Sequence, residues 1–295
     1  PDFSAVDVLP GLTKKACAYI DQRAKEAAPF FIYMPLNSPH TPIATSPDFA
    51  GKSGLGDYGD FVLQTDWAVG EVMAALERNG LSHKTLIILT SDNGCSPEAN
   101  FSALAGQGHN PNYVFRGHKA DVFEGGHRVP FIARWPENIK PGSHCDDPIC
   151  LTDLTATCAE IVGFKLPESA AEDSVSILPN LLGVAHGPVR EATVHQSMNG
   201  SLAIRQGKWK LAMCADSGGW SSPKPGTAES RKLPSIQLFD LEKDVGETTN
   251  LASAQTDVVA RLQKLLQKYI DEGRSTSGAA QSNDIVVKLV QPKNP

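Results

Sequence analysis

The sequence contains no lysine- or arginine-rich run: its 27 basic residues are scattered among 33 acidic ones, for a net charge of −6. Without a positive stripe to track phosphates, nucleic acid is not an expected partner. Long hydrophobic runs are also missing. FFIYMPL and TLIILT are among the longest apolar stretches, far below the roughly 20 residues that cross a bilayer, so no membrane span is expected. The chain opens PDFSAVDVLPGLTKK, with no charged n-region leading into an apolar h-region. That opening reads like the middle of a protein, so a fragment is expected, with any export signal outside it. Cysteine is scarce: six in 295 residues, with no CxxC pair of zinc-finger spacing. This excludes a disulfide scaffold. Cys145 and Cys150 either bridge a short loop or remain thiols.

What is present is enough apolar residue, 41% of the chain, to bury a large core in one large domain or two unequal ones. LTKKACAYIDQRAKEA reads as an amphipathic helix, and PFFIYMPL after it as a buried strand. A loop rich in Gly, Ser and Asp leads to FVLQTDWAVGEVMAALERNG, where Val62, Val69, Met73 and Leu76 recur at helical spacing and Asn79-Gly80 supplies a stop. TLIILT and VPFIARW read as further strands. LTDLTATCAEIVG reads as a helix with Thr152 as N-cap and Gly163 past its end. Continuous apolar strands separated by helices predict an α/β fold with a mostly parallel sheet covered on both faces.

Near Pro188 the pattern changes. SLAIRQGKWKLAM offers two strands joined at Gln206-Gly207, IQLFDL another strand, and VVARLQKLLQKYID an amphipathic helix. The expected organisation is an α/β domain over residues 1–187 and a small antiparallel subdomain with a helix over 188–295.

In parallel sheets, ligands sit beyond the carboxyl ends of strands. NSPHTP places His40 there, in a loop stiffened by two prolines. SDNG places Asp92 and Asn93 side by side, and FRGHKADVFEGGHRVP carries Arg116, His118, Lys119, Glu124, His127 and Arg128. A carboxylate and an amide carbonyl are hard oxygen ligands suited to Ca²⁺ or Mg²⁺, though two do not close a site. Each signal has an ordinary reading as well. Asp-Asn-Gly after a strand is commonly a turn, His40 a loop histidine, Lys119 a solvated charge, and Glu124 with Arg128 a surface pair.

Four blocks change that balance. PFFIYMPLNSPHTP, TDWAVGEVMAALERNGLSHKTLIILTSDNG, RGHKADVFEGGHRVPFIARWP and LFDLEKDVGETTNLA run in order over residues 28–252. Together they resemble the formylglycine-dependent sulfatases, in particular their arylsulfatase A-like branch, which has an alkaline-phosphatase-like fold. The resemblance implies that Asp92 and Asn93 bind calcium, with Mg²⁺ the less favoured ion, and that His40 and Lys119 contact the sulfate. Asp240 and Asn250 would be turn or cap residues of the C-terminal subdomain. A periplasmic or secreted setting is implied as well.

The family's nucleophile is a cysteine or serine in a C-x-P-x-R signature, oxidised to formylglycine, and nothing before residue 28 resembles it or the further metal-binding acids. Cys95-Ser96-Pro97-Glu98-Ala99 starts like that signature, but Ala99 stands where the arginine belongs, so Cys95 reads as a loop cysteine. The expectation is therefore the C-terminal portion of a sulfatase that is inactive by itself, acting as a full protein on a sulfated small molecule or sulfated carbohydrate. The alternative is a non-catalytic remnant that keeps a sulfated-ligand pocket. A phosphatase or phosphodiesterase of the same superfamily fits the RGHK and EGGHR loop less well. A surface left by the missing half would promote self-association. Substrate choice would lie in loops 46–59, 100–113 and 216–234. His109 and Trp220 are the side chains there able to touch a sugar or aryl group, although simple exposure is the ordinary reading of each.

Overall fold

The structure is a computed structural model and describes residues 3–184 and 187–290. In chain order its principal elements are α1 (Val8–Arg23), α2 (Gly56–Arg78), β1 (Ile87–Thr90), α3 (Phe101–Gly106), α4 (Glu124–His127), β2 (Phe131–Arg134), α5 (Asp153–Ile161), α6 (Leu178–Leu182), β3 (Thr193–Gln196), β4 (Leu202–Gln206), β5 (Trp209–Ala212), β6 (Gln237–Asp240) and α7 (Thr256–Glu272). They form two compact units interleaved in sequence. The first comprises Pro1–Ile88, Ser96–Pro111 and Ala133–Asn138; the second comprises Leu89–Cys95, Asn112–Ile132 and Ile139–Pro295.

The first unit is built on the α1–α2 pair. Leu9 meets Phe61 and Ala68 at one end, and Ile20 meets Ala75 and Leu76 at the other. The small side chains of Ala68 and Ala75 suit a close helix approach, whereas Val62 and Met73 remain 41% and 36% exposed. The helix is where the sequence predicts it, but its buried stripe is rotated from the expected one. Asp60 folds the preceding loop back onto α2 by accepting from the Gly51 and Ser53 amides at 2.6 and 2.7 Å.

PFFIYMPL departs from expectation. It is extended but joins no ladder among the described residues. Phe30, Ile32 and Leu36 pack inward, while Phe31 and Tyr33 are 75% and 80% exposed. A strand direction alternates its side chains, and here only one face has a partner. β1 and β2 make a two-stranded sheet, and these are its only strands among the described residues. Thr152 occupies the N-cap position of α5 without a side-chain cap bond. Asp153, the first residue of the helix, instead reaches back, its Oδ2 accepting from the Cys150 amide ahead of the helix at 2.8 Å.

The second unit contains the expected antiparallel sheet, ordered β3-β4-β5-β6, in which Ile204 faces Leu211 and Leu211 faces Leu238. Period-two alternation gives the sheet two different faces. Ile204, Leu211 and Leu238 point toward α7, whose Leu262 and Leu266 complete a core; each such side chain contributes about 1.5–3 kcal/mol when fully buried. The other face presents Ala203, Ala212 and Phe239 to Val122 and Phe123. The two alanines leave room for a polypeptide segment, and the one received there is the continuation of the Lys119 loop. All six cysteines are thiols, which decides the Cys145–Cys150 alternative.

Candidate active site

The site is assembled from the turn after β1 and the loop that precedes β2. Past Thr90, the Asn93 amide donates to Asp92 Oδ1 at 3.0 Å and Ser91 Oγ donates to the Asn93 carbonyl at 3.0 Å. These bonds hold the expected turn, with Asp92 exposed and Asn93 half-buried. The Gly94 amide then donates to the Gly126 carbonyl of α4 at 2.9 Å, and the Lys119 amide donates to the Cys95 carbonyl at 3.0 Å. Asn112 bridges the same segments: its Oδ1 accepts from the Cys95 amide at 3.1 Å and its Nδ2 donates to the Gly117 carbonyl at 2.8 Å. Asp92, Asn93 and Lys119 are thereby carried on two segments joined by main-chain hydrogen bonds.

Glycine is required at this junction. A Cβ on Gly94 would collide with the Gly125 carbonyl, and one on Gly126 with the Asp121 carbonyl. Backbone lies directly on backbone, which explains why the run reads Glu-Gly-Gly.

Beneath the loop is a buried charge cluster. Lys210, fully buried, points its Nζ at Glu124 Oε1 (3.0 Å), Glu247 Oε1 (2.8 Å) and His127 Nε2 (3.0 Å). Glu247 also accepts the Glu124 amide at 2.6 Å, and Arg116 donates to the Glu247 carbonyl at 2.7 Å while its guanidinium lies 3.9 Å from the centre of the Phe123 ring. His127 and His195 stack with ring centres 3.4 Å apart. Both imidazoles lie near the Val122 carbonyl, His127 Nε2 at 3.1 Å and His195 Nε2 at 3.2 Å. The Glu124–Arg128 contact is real at 3.3 Å, but Glu124 is only 1% exposed, so it is no surface pair.

The charges settle as this packing requires. Burial alone would raise the Glu124 carboxyl, but Lys210 and Arg205 draw it below the ordinary glutamate value. Burial prevails at Glu247 and raises it against the pull of Lys210. Burial, with Lys210 as the next cause, pushes His195 down to about 3, and His127 is also held well below 6.5 by burial first, then by competition with the stacked His195 for a proton and by the nearby Lys210. Both rings are neutral at ordinary pH.

Asp121, 3% exposed, is the second anchor. Its Oδ2 accepts the His118 amide at 2.9 Å, and its Oδ1 accepts the Trp220 and Ser221 amides at 2.8 and 3.1 Å. Asp121, Glu247, His195 and Lys210 escaped the sequence reading. Asp121, two residues after Lys119 in GHKAD, left a local trace; the others are brought in by the sheet and carry none.

His40 belongs to the first unit. It is exposed, its Nδ1 lies 2.8 Å from the Thr41 carbonyl, and its amide donates to the Asn37 carbonyl at 3.2 Å. Asp240 and Asn250 act locally. Asp240 pairs with Lys208 at 3.0 Å, and Asn250 Oδ1 accepts the Leu238 and Ala252 amides at 3.0 Å each. No group of three or more His, Cys, Asp or Glu residues able to hold a metal occurs among the described residues. Asp92, exposed, and Asn93, half-buried, nevertheless carry hard oxygen donors of the kind a divalent cation takes, as a partial set.

No helix of the described residues is long and apolar enough to cross a membrane. A family model described as sulfatase matches residues 11–164. The chain is 38% identical over 267 residues to N-acetylgalactosamine-6-O-sulfatase of Bacteroides thetaiotaomicron, covering 88% of this chain and 50% of that protein. It is 32% identical over 274 residues to human arylsulfatase A, covering 87% and 52% respectively. Among solved structures, one from work on glycosaminoglycan metabolism by Bacteroides thetaiotaomicron superposes with a TM-score of 0.78 at 36% identity, covering 90% of this chain and 55% of that one. The chain thus spans about half the length of the curated relatives it matches. With more than half of its residues inside the matching family model and an α/β architecture shared with a solved sulfatase, the chain belongs to the sulfatase family.

Proposed function

We propose that this chain is the C-terminal portion of a sulfuric ester hydrolase whose formylglycine nucleophile is supplied by a segment outside this sequence. The observation that carries the reading is the main-chain bond from Lys119 to Cys95, 3.0 Å long, which ties the lysine loop to the Asp92-Asn93 turn. A cation-binding turn and an ammonium group held on joined segments form an anion site.

Asp92 and Asn93 would provide two of the oxygen ligands of a calcium ion, the rest coming from outside this chain or from the substrate. Such an ion supplies electrostatic stabilisation of charge on the sulfate oxygens. Lys119 binds a sulfate oxygen and opposes the negative charge that grows on the leaving oxygen as the S–O bond breaks. His40 contacts the sulfate and supplies a proton near the leaving group. The buried cluster under the loop keeps the Lys119 backbone from yielding as that charge develops. The substrate class is a sulfated small molecule or carbohydrate, and the setting periplasmic or secreted.

The test is sulfate release from a chromogenic aryl sulfate with added Ca²⁺, using this chain and the longer protein encoded by its own gene. Activity only in the longer protein, lost on Lys119→Ala or Asp92→Ala, supports the proposal. Activity in this chain by itself would overturn the assignment of the nucleophile and return attention to Cys95. A longer protein that binds sulfated ligands without releasing sulfate would favour the non-catalytic alternative.

A further inference from the structure

The segment 216–223 is held to an unusual degree for a loop. The Gly218 amide donates to Asp216 Oδ1 (3.0 Å), Ser217 Oγ donates to the Ser221 carbonyl (2.8 Å) and the Ser217 amide donates to the Pro223 carbonyl (2.9 Å). Gln237 Nε2, from β6, donates to the Asp216 carbonyl at 3.0 Å. Asp216, Ser217 and Gly218 are buried, yet Trp220 is 39% exposed. A rigid loop that buries its backbone while displaying its one large apolar side chain is built to present that side chain, since a tryptophan forgoes much burial by remaining open.

What the loop is tied to gives the display its direction. Asp121 Oδ1 takes the Trp220 amide while Oδ2 takes the amide of His118, the neighbour of Lys119. The Val122 amide donates to the Ser217 carbonyl at 2.8 Å, and Gly219 lies so close to the Ala120 carbonyl that a Cβ would collide with it. Since Ala120 follows Lys119 and Gly219 precedes Trp220, the Cα atoms of Lys119 and Trp220 are on the order of 10 Å apart. The Ala120 carbonyl also accepts the amide of Met198, whose side chain is 68% exposed. The loop bearing Lys119 is therefore bordered by an indole and a thioether, both on segments bonded to it.

We propose that Trp220 is a platform for the sugar ring of a sulfated pyranose, with Met198 as a second apolar wall, while the sulfate is held at Lys119. This rests on the sulfatase reading of the Lys119 loop. A pyranose presents a face of C–H groups that covers an indole well, and an anionic substituent on that ring needs a cation at about one ring and one lysine side chain away. Lys119 and Trp220 lie on adjoining backbone, tied through Asp121 and the Ala120–Gly219 contact, within about that reach. Inorganic sulfate, having no ring, gains nothing from the indole.

Two measurements test the proposal. In the first, intrinsic fluorescence of this chain is titrated with 6-O-sulfated N-acetylgalactosamine and with inorganic sulfate. The sulfated sugar should shift the emission, inorganic sulfate should not, and Trp220→Phe should abolish the shift although Trp67, Trp135 and Trp209 remain. In the second, on the longer protein, Trp220→Ala should raise KM for that sugar about tenfold, with kcat little changed and Trp220→Phe retaining most of the affinity. An unchanged KM in a folded Trp220→Ala protein would overturn the platform, and so would a fall in kcat at constant KM, because either result makes Trp220 a spacer for Asp121. If the unaltered longer protein releases no sulfate, the catalytic reading fails separately. The fluorescence titration then decides the platform alone, and an emission shift that survives Trp220→Phe refutes it.

Discussion

Two segments carry the residues expected to touch sulfate, and their construction is opposite. Residues 116–130, around Lys119, are fastened by main-chain bonds to the turn after β1, by Asp121 to the Trp220 loop, and by Lys210 to the sheet. Residues 29–37, ahead of His40, pack one set of alternate side chains on α1 and α2 and leave the other, Phe31 and Tyr33, open, and residues 38–42 form the turn that bears His40. The first segment is made rigid by buried charge and backbone contact, the second by the packing of alternate side chains. The role proposed for Lys119, opposing developing charge, is best served by a firmly held scaffold, and its loop has one within its own unit. His40 is held chiefly by its own turn.

The largest effect is expected at Lys210. Lys210→Ala leaves two carboxylates buried without their ammonium partner and should cost about 3–5 kcal/mol. Denaturant unfolding of the purified chain would show this, and adding Glu247→Gln should recover part of the loss by removing one stranded charge. A cost below about 1 kcal/mol would mean that the cluster is open to water and does not clamp the loop.

Acid should act on the same region with a smaller effect. His195 lies at about 3 rather than 6.5, and His127 is shifted in the same direction. As pH falls below 6.5 the unfolded chain takes up protons that the folded chain refuses, so stability declines through that window. The ceiling is about 1.4 kcal/mol per pH unit for each imidazole, reduced because the His127 side chain is 26% exposed. Glu247, shifted upward, works the other way: its contribution is present at low pH and lost as pH rises through its folded value. Midpoints measured between pH 7 and 5 should fall, and fall less steeply in His195→Phe; equal slopes would refute the assignment.

The smallest expected effect sharpens the contrast from the other side. His40→Ala removes an exposed ring bonded within its own turn, so the unfolding free energy should stay within about 0.5 kcal/mol of the parent. In the longer protein the same change should still depress sulfate release. A large loss of stability would show that the His40 loop is clamped as tightly as the Lys119 loop.

Legibility in the sequence followed the range of the interactions. α1, α2 and α7, the paired strands of the second unit and the turn at Asp92-Asn93 arise from local pattern, and local pattern found them. PFFIYMPL misled because an apolar run predicts burial without saying how many faces will be covered. Val62 and Met73 misled for a related reason: helical spacing fixes a stripe, but the small alanines that let α1 approach selected a different one. Glu124 passed for half of a surface pair with Arg128 because its buried partner, Lys210, lies 86 residues away.

By itself, the sequence determined the order of elements, the family resemblance and the positions of Asp92, Asn93, His40 and Lys119, since each is written in neighbouring residues. Only the tertiary structure decided what holds them. In KWKLA, Lys210 alternates with apolar residues and by pattern belongs on a wet face, yet sheet pairing turned that face toward Val122 and Phe123 and closed it. The same folding brought Asp121 to the backbone of Trp220, 99 residues on. Charge burial and main-chain contact over such separations have no periodicity to read, because they depend on which surfaces meet once the sheet has formed.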